Sequence, residues 1–265
     1  MDKIYLDNAA TTPLLDEVVD AMVEVMKSHY GNPSSTHSLG QEAKAILEGT
    51  RRKIANELKV IPAEIIFTSC GTEANHLILK SAVEDLEIER IITSELEHKC
   101  VAETVDNLKT TKKVEVVYLN VNEKGDVDLL QLEKLLKSNE KKTLVSLMHA
   151  NNEIGNLLDL EKVASICKEN GAFFHSDTVQ TMVHLSLDFA KIPIDFASCS
   201  AHKFHGPKGV GFAFIRKTAH LKAQILGGTQ ERSLRAGTEN VVGIAGMGKA
   251  FELCVDNMSK FSDHI

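Results

Sequence analysis

Nowhere does an apolar stretch approach the roughly 20 residues that a membrane helix needs, and the opening Met1-Asp2-Lys3-Ile4 is not a charged segment leading into an apolar one. A cytoplasmic chain with no membrane partner is therefore expected. The sequence also lacks a basic footprint: Arg51-Arg52-Lys53 and Lys112-Lys113 are short, embedded among acids, and set in a chain of formal net charge −7. That excludes nucleic acid as an expected partner. The five cysteines, Cys70, Cys100, Cys167, Cys199 and Cys254, are odd in number, widely spaced and free of any CxxC pair. Neither a disulfide framework nor a zinc site follows from them, and reduced thiols are expected. Internal repeats and low-complexity linkers are missing, and only five of the 265 residues are proline. Two phosphate-binding patterns, GxGxxG and the P-loop with its terminal Lys-Ser/Thr, are absent as well, which removes a Gly-rich nucleotide site.

What the sequence does contain is the alternation of an α/β protein. With 43% hydrophobic and 25% charged residues, the chain is long enough to bury the core of one large domain. Apolar, β-branched runs at 64–70, 89–93, 114–119, 143–149, 172–175, 194–199 and 210–215 predict seven strands. Amphipathic segments at 16–28, 38–58, 72–85, 99–109, 129–137, 160–170 and 240–255 predict the helices around them. Strands separated by helices favour one mostly parallel sheet with helices on both faces. In such sheets ligands bind beyond the carboxyl ends of the strands, and here those ends are polar.

The most informative of them is Ser200-Ala201-His202-Lys203-Phe204-His205-Gly206-Pro207-Lys208-Gly209, a loop between two predicted strands. A lysine there is by default an exposed side chain in a Gly/Pro turn. Where desolvation or nearby positive charge lowers its pKa, it can instead form a Schiff base with an aldehyde such as pyridoxal 5′-phosphate (PLP). Its neighbours favour the second reading. Gly71 and Thr72 open a helix after the first strand, where free N–H groups stabilise phosphate, although Gly-Thr is also an ordinary turn and N-cap pair. Asp177 can pair with a protonated pyridine nitrogen, or cap the next turn. His98 can lie over a pyridine ring and handle protons, or cap a helix. Asn152 and Gln180 offer neutral hydrogen bonds to a ring hydroxyl, and Ser200 and His202 can bond a phosphate. A competing reading takes His202 and His205, with His175 and Asp177, as metal ligands; the Gly206-Pro207 that follows argues for a loop without the helical spacing such a site uses, and no metal is expected.

Six segments carry a resemblance to a known family. Residues 5–13 (Tyr-Leu-Asp-Asn-Ala-Ala-Thr-Thr-Pro), Gly31-Asn32-Pro33-Ser34-Ser35-Thr36-His37, Glu97-His98, His149-Ala150-Asn151-Asn152-Glu153-Ile154-Gly155, the stretch 202–209 and Arg235-Ala236-Gly237-Thr238 resemble the cysteine desulfurases. These are class V aminotransferase-type, fold-type I PLP enzymes, and the likeness is to the group serving iron–sulfur cluster assembly. It implies that Lys203 carries PLP as a Schiff base and moves the substrate's α-proton. It further implies that His98 stacks on the ring, Asp177 holds the ring nitrogen, Asn152 and Gln180 lie near the ring hydroxyl, and Gly71, Thr72, Ser200 and His202 hold the phosphate. A homodimer with active sites at its interface is implied, Thr238 reaching the partner's phosphate. The implied reaction takes L-cysteine to alanine and passes the sulfur, as a persulfide, to scaffold or sulfur-acceptor proteins.

By the same resemblance residues 1–15 belong to a small domain, 16–255 form the PLP-binding large domain, and 256–265 begin a C-terminal small domain that is largely absent. The family's sulfur-accepting cysteine lies in a Ser/Gly-rich loop downstream of the Arg-Ala-Gly-Thr motif, and none of the five cysteines has that context. Cys100 is the best local substitute. The expectation is a truncated or split desulfurase that holds PLP but desulfurates poorly. Another class V lyase or aminotransferase, such as a selenocysteine lyase, and an inactive PLP-fold binding partner are the alternatives.

Overall fold

A computed structural model describes residues 4–138 and 140–260. Its seven strands are β1 (Ile65–Thr68), β2 (Arg90–Thr93), β3 (Glu115–Tyr118), β4 (Thr143–Ser146), β5 (Phe173–Asp177), β6 (Phe196–Ser200) and β7 (Gly211–Ile215). They form one sheet in the order β1-β7-β6-β5-β4-β2-β3. Only β7 opposes its neighbours; every other pair is parallel. Six strands therefore deliver their carboxyl ends to one edge.

Period-two alternation decides which face each strand residue covers. Ile65 and Phe67 enter one apolar cluster and Ile66 the other; Ile92 and Val145 oppose Ile91 and Leu144 in the same way. The first face is covered by α2 (Ser38–Glu57), α5 (Leu129–Lys137), α6 (Leu160–Glu169) and α7 (Val241–Asp256), with α1 (Asp16–Ser28) adding Val18. The second is covered by α3 (Gly71–Asp85) and α4 (Lys99–Thr111). The expected helices on both faces are thus present. Asp128 and Asp159 cap α5 and α6 through their side chains, which fixes where those helices begin.

Strand ends differ from the expected bounds in an informative way. β5 runs to Asp177, two residues beyond the predicted end, because the Asp177 carbonyl accepts from His149 N–H at 3.0 Å and Asp177 pairs with Ser198. The carboxylate so extended sits on the sheet itself. α7 ends at Asp256; residues 1–3 of the expected N-terminal segment and 261–265 of the expected small-domain start lie outside the described residues. Among the described residues no helix is long and apolar enough to cross a membrane.

A buried ion pair ties α2 to the turn after β7. Arg51 donates to both Glu231 oxygens, at 2.7 and 2.8 Å, and to the Ile65 carbonyl at 2.6 Å. Glu231 also accepts from Phe67 N–H at 2.7 Å, and the guanidinium lies 4.4 Å from the Phe67 ring centroid. The side chains are 2% and 1% exposed, so neither charge is screened by water. This anchoring holds Glu231, Arg232 and Ser233 at φ of 44°, 58° and 63°, left-handed angles that cost energy in residues with a Cβ.

Glu231→Leu, which strands the Arg51 charge, is expected to lower stability by about 3–5 kcal/mol in urea unfolding. Arg51→Met combined with Glu231→Leu should recover part of that loss; a single variant within 1 kcal/mol of wild type, roughly the value of an exposed pair, would contradict the role given to the pair.

Candidate active site

The polar strand ends close around one cavity of about 480 Å³. Gly71 and Thr72 arrive from the β1–α3 turn, His98 from the turn after β2 and Asn152 from the loop after β4. Asp177 and Gln180 arrive from the end of β5, Ser200 from the end of β6, and His202 with Lys203 from the short 3₁₀ turn that follows it. Nine sequence-predicted residues line this one space: Gly71, Thr72, His98, Asn152, Asp177, Gln180, Ser200, His202 and Lys203. Thr238 does not. It borders a separate pocket of about 120 Å³ with Ser69, Gly209 and Arg235.

Lys203 is half-buried, and its Nζ donates to the carbonyl of Ala9 and, at 2.9 Å, to that of Ala10. Burial holds its pKa below the usual lysine range, while the carboxylates of Asp177 and Asp7 pull it partly back. An amine in that position loses its proton more readily than a surface lysine. Asp177 is 5% exposed. Its Oδ1 accepts from Val179 N–H at 3.0 Å and Ser198 Oγ at 3.2 Å, and its Oδ2 from Asn75 Nδ2 at 2.7 Å.

The opposite wall suits an anion. α3 begins at Gly71, its N-cap Cys70 offers no side-chain acceptor, and the helix dipole is positive at that end. A Cβ at position 71 would stand 2.7 Å from Val179 Cγ2, so only glycine lets the cradle approach the β5 loop this closely. Ser200 Oγ is buried without any hydrogen-bond partner. A buried hydroxyl left unmatched marks a place where a ligand atom belongs. His202, whose pKa is lowered by burial and then by Lys203 and Lys208, bonds Thr11 Oγ1 at 3.2 Å. The residues present fit PLP: an anion cradle, an amine of lowered pKa and a buried carboxylate share one cavity.

Two alternatives weighed for His98 prove compatible. It caps α4, accepting from Cys100 N–H at 3.2 Å, and it also borders the cavity. Gln180 Nε2 donates to the Ala9 carbonyl at 3.0 Å, and Asn152 Nδ2 to Glu153 at 3.2 Å. The His-x-x-His metal reading fails on geometry: His202 turns to Thr11, His205 Nδ1 to the Pro13 carbonyl, and His175 is enclosed in the core. Among the described residues no group of three or more His, Cys, Asp or Glu side chains is placed to hold a metal.

Several lining residues carry no clear sequence signal. Ala9 and Ala10 act through backbone carbonyls, which no side-chain pattern reveals. Asn75 could have been found, since it stands four residues after Gly71 on the same helical face. Cys100 lies in the cavity with its Sγ 3.0 Å from His98 Nδ1, yet burial and then Asp177 push its thiol up to about 11. At neutral pH it is a protonated thiol and a poor nucleophile. Glu97, under the His98 turn, is buried; burial first and Asp177 next raise it to about 8, against donors from Met148 N–H and Ser94.

Over residues 4–264 the chain matches the family model of the class V aminotransferases. Over 260 residues it is 45% identical to a cysteine desulfurase of Dictyoglomus turgidum, covering 97% of this chain and 65% of that protein. The chain thus spans a little under two thirds of that relative's length. A solved NifS-like protein superposes with a TM-score of 0.94 at 44% identity, covering 98% of this chain and 71% of the other. A second solved structure, SspA in complex with cysteine, gives a TM-score of 0.90 at 33% identity over 94% of this chain and 72% of that one.

The buried Glu97 sets a pH dependence whose sign can be worked out. In the unfolded chain its carboxyl titrates near 4.3, so between about pH 4.3 and 8 unfolding releases a proton and stability falls by about 1.4 kcal/mol per pH unit from this group. Glu97→Gln should therefore gain on wild type as pH rises from about 5 to 8 in urea unfolding. A difference that does not change with pH would contradict the neutral assignment.

Proposed function

We propose that this chain, which belongs to the class V aminotransferase family, is the PLP-binding part of a cysteine desulfurase that takes L-cysteine to L-alanine and passes on the sulfur. The observation that carries this reading is the meeting of Lys203, Asp177 and the unpartnered Ser200 hydroxyl in one cavity. Likeness to a desulfurase and to a protein solved with cysteine supports the substrate class. When bound, PLP supplies an electron sink for the negative charge that develops at the substrate's α-carbon.

The chain's own residues divide the remaining work. Gly71, Thr72, Ser200 and His202 would hold the phosphate, with the α3 N-terminus matching its charge. Asp177 would hold the ring nitrogen and its proton, Asn152 and Gln180 would bond the ring hydroxyl, and His98 would cover the ring face. Lys203 Nζ would attach the group. As a free amine it would take the proton from the substrate's α-carbon, because its lowered pKa leaves more of it unprotonated at neutral pH. The Ala9 and Ala10 carbonyls, which receive its hydrogen bonds, would hold the free amine at the cavity wall.

Sulfur acceptance makes a different demand. It needs an exposed thiolate, whereas Cys167, Cys199 and Cys254 are buried, Cys100 is held protonated, and Cys70 is half-buried at the N-cap of α3 with its Sγ 3.7 Å from Ser69 Oγ. Cys254 Sγ donates to the Phe204 carbonyl at 3.4 Å. Slow turnover by this chain follows.

The same reading assigns 1–15 to a small domain, 16–255 to the large domain and 256–265 to the start of a second small-domain segment. It describes a cytoplasmic homodimer with active sites at the interface, handing sulfur to a scaffold or acceptor protein. Thr238 standing outside its own chain's cavity supports its service to a partner subunit.

Mixing the purified chain with PLP is expected to give a visible absorption band that L-cysteine perturbs, with alanine released slowly. Lys203→Ala should lose the band while keeping the fold by circular dichroism. A wild type with no band, or a band that persists in Lys203→Ala, would refute the lysine assignment.

A further inference from the structure

Behind the cavity lies a file of polar side chains that the proposed chemistry does not use. Ser146 on β4, His175 on β5 and Asn75 on α3 are each 0% exposed, in a region otherwise filled by the apolar core. Ser146 Oγ stands 2.9 Å from His175 Nδ1, and His175 Nε2 stands 3.1 Å from Asn75 Oδ1. Asn75 Nδ2 in turn donates to Asp177 Oδ2 at 2.7 Å. Buried polar groups are retained at a cost unless each is satisfied, so the direction of every bond matters.

That direction can be worked out from the carboxylate end. A carboxylate only accepts, so Asn75 must turn its NH₂ toward Asp177. Its carbonyl oxygen then faces His175 and also only accepts, which requires the proton on Nε2. A neutral imidazole so protonated has its lone pair at Nδ1, and the Ser146 hydroxyl fills that need. Each link leaves one choice for the next.

We propose that His175, held by Ser146 as the Nε2–H tautomer, is a positioning residue that satisfies the Asn75 carbonyl oxygen and so holds the Asn75 amide on Asp177. The inference rests on the reading that Asp177 holds the ring nitrogen of PLP. Without the His175 N–H, the Asn75 carbonyl oxygen is left buried and unmatched, so the amide shifts toward another donor and its bond to the carboxylate lengthens. Asp177 then loses a charge-assisted hydrogen bond, becomes more basic and holds the ring-nitrogen proton more tightly. His175 acts on the cofactor at two removes and touches neither it nor the substrate.

The surrounding charges are consistent with this. Burial alone holds the His175 pKa at about 3, with no charged group contributing. Asp177 is coupled to Lys203 on the turn after β6, to Cys100 on α4, to Cys199 on β6 and to Glu97 at the end of β2. Of these only Lys203 carries positive charge. The thiols are raised well above neutrality and Glu97 to about 8, so near pH 7 none of these three sets a second negative charge beside Asp177.

Two measurements on the 265-residue chain test the proposal. In the PLP-free protein, ¹⁵N NMR of the His175 ring should report a neutral Nε2–H tautomer between about pH 6 and 8, although a free histidine titrates there. An Nδ1–H tautomer, or a ring that titrates in that range, overturns the relay. In protein loaded with ring-¹⁵N-labelled PLP, the pH at which the ring nitrogen loses its proton should rise by about one unit in His175→Leu and Asn75→Leu. His175→Gln, whose amide can donate to Asn75 and accept from Ser146, should restore it. Equal midpoints in wild type and His175→Leu overturn the proposal. If the wild type takes up no PLP, the functional reading fails and the tautomer alone decides the relay.

Discussion

A carboxylate that is 5% exposed must be compensated, and Asp177 is the point at which most of the structure answers to that demand. Its donors come from three places: the backbone of its own turn at Val179, the neighbouring strand at Ser198, and helix α3 at Asn75. Supplying them requires β5 to run two residues past its apolar core, β6 to lie beside it, and α3 to pack across their ends. Lys203 and Cys100 then feel the same charge in the same sense, each held toward its protonated form. Lys203 is partly restored toward its ordinary basicity, while Cys100 is pushed further from ionising. Burial thus frees the amine for proton transfer against the pull of Asp177, while burial and Asp177 together keep a nearby thiol out of it.

The anion cradle depends on a second set of charges, partly buried. Glu73, in the first turn of α3, accepts from Ser69 N–H at 2.8 Å and from Arg235 Nε at 2.7 Å. Those bonds fix the turn that carries Gly71 and Thr72. Burial would raise the Glu73 pKa, but Arg235 and Ser69 more than reverse this and hold it below the usual range. Arg51 and Glu231 brace the same region from the other side of β1, through Ile65 and Phe67. The strained residues 231–233 lead directly to Arg235 and Thr238, so the cradle and the outward-placed threonine share one support.

How much of this was legible in the sequence depends on whether an interaction leaves a periodic or compositional trace. Helices α1 and α5 have the bounds their amphipathic pattern predicts, because burying one face is a constraint spread over the whole element. The polar strand ends also stood out, since five such ends in one parallel sheet point to a single edge. Asn75 and Ser146 did not, for a lone polar residue in an apolar run reads as ordinary variation until the partner on another element is known. The Ala9 and Ala10 carbonyls are invisible for a simpler reason: backbone groups have no sequence identity. Thr238 was placed by resemblance, and its distance from the cavity of its own chain is a matter of tertiary geometry that no local pattern encodes.

The central claim is that Lys203, among the lysines of this chain, is the one that holds the cofactor. Reduction of the PLP-treated protein with borohydride, followed by digestion and mass spectrometry, reads that attachment directly. The account predicts a single pyridoxyl-modified peptide, with fragmentation locating the label at Lys203 and its loss in Lys203→Ala. A label spread over exposed lysines, or fixed on another one, would contradict it.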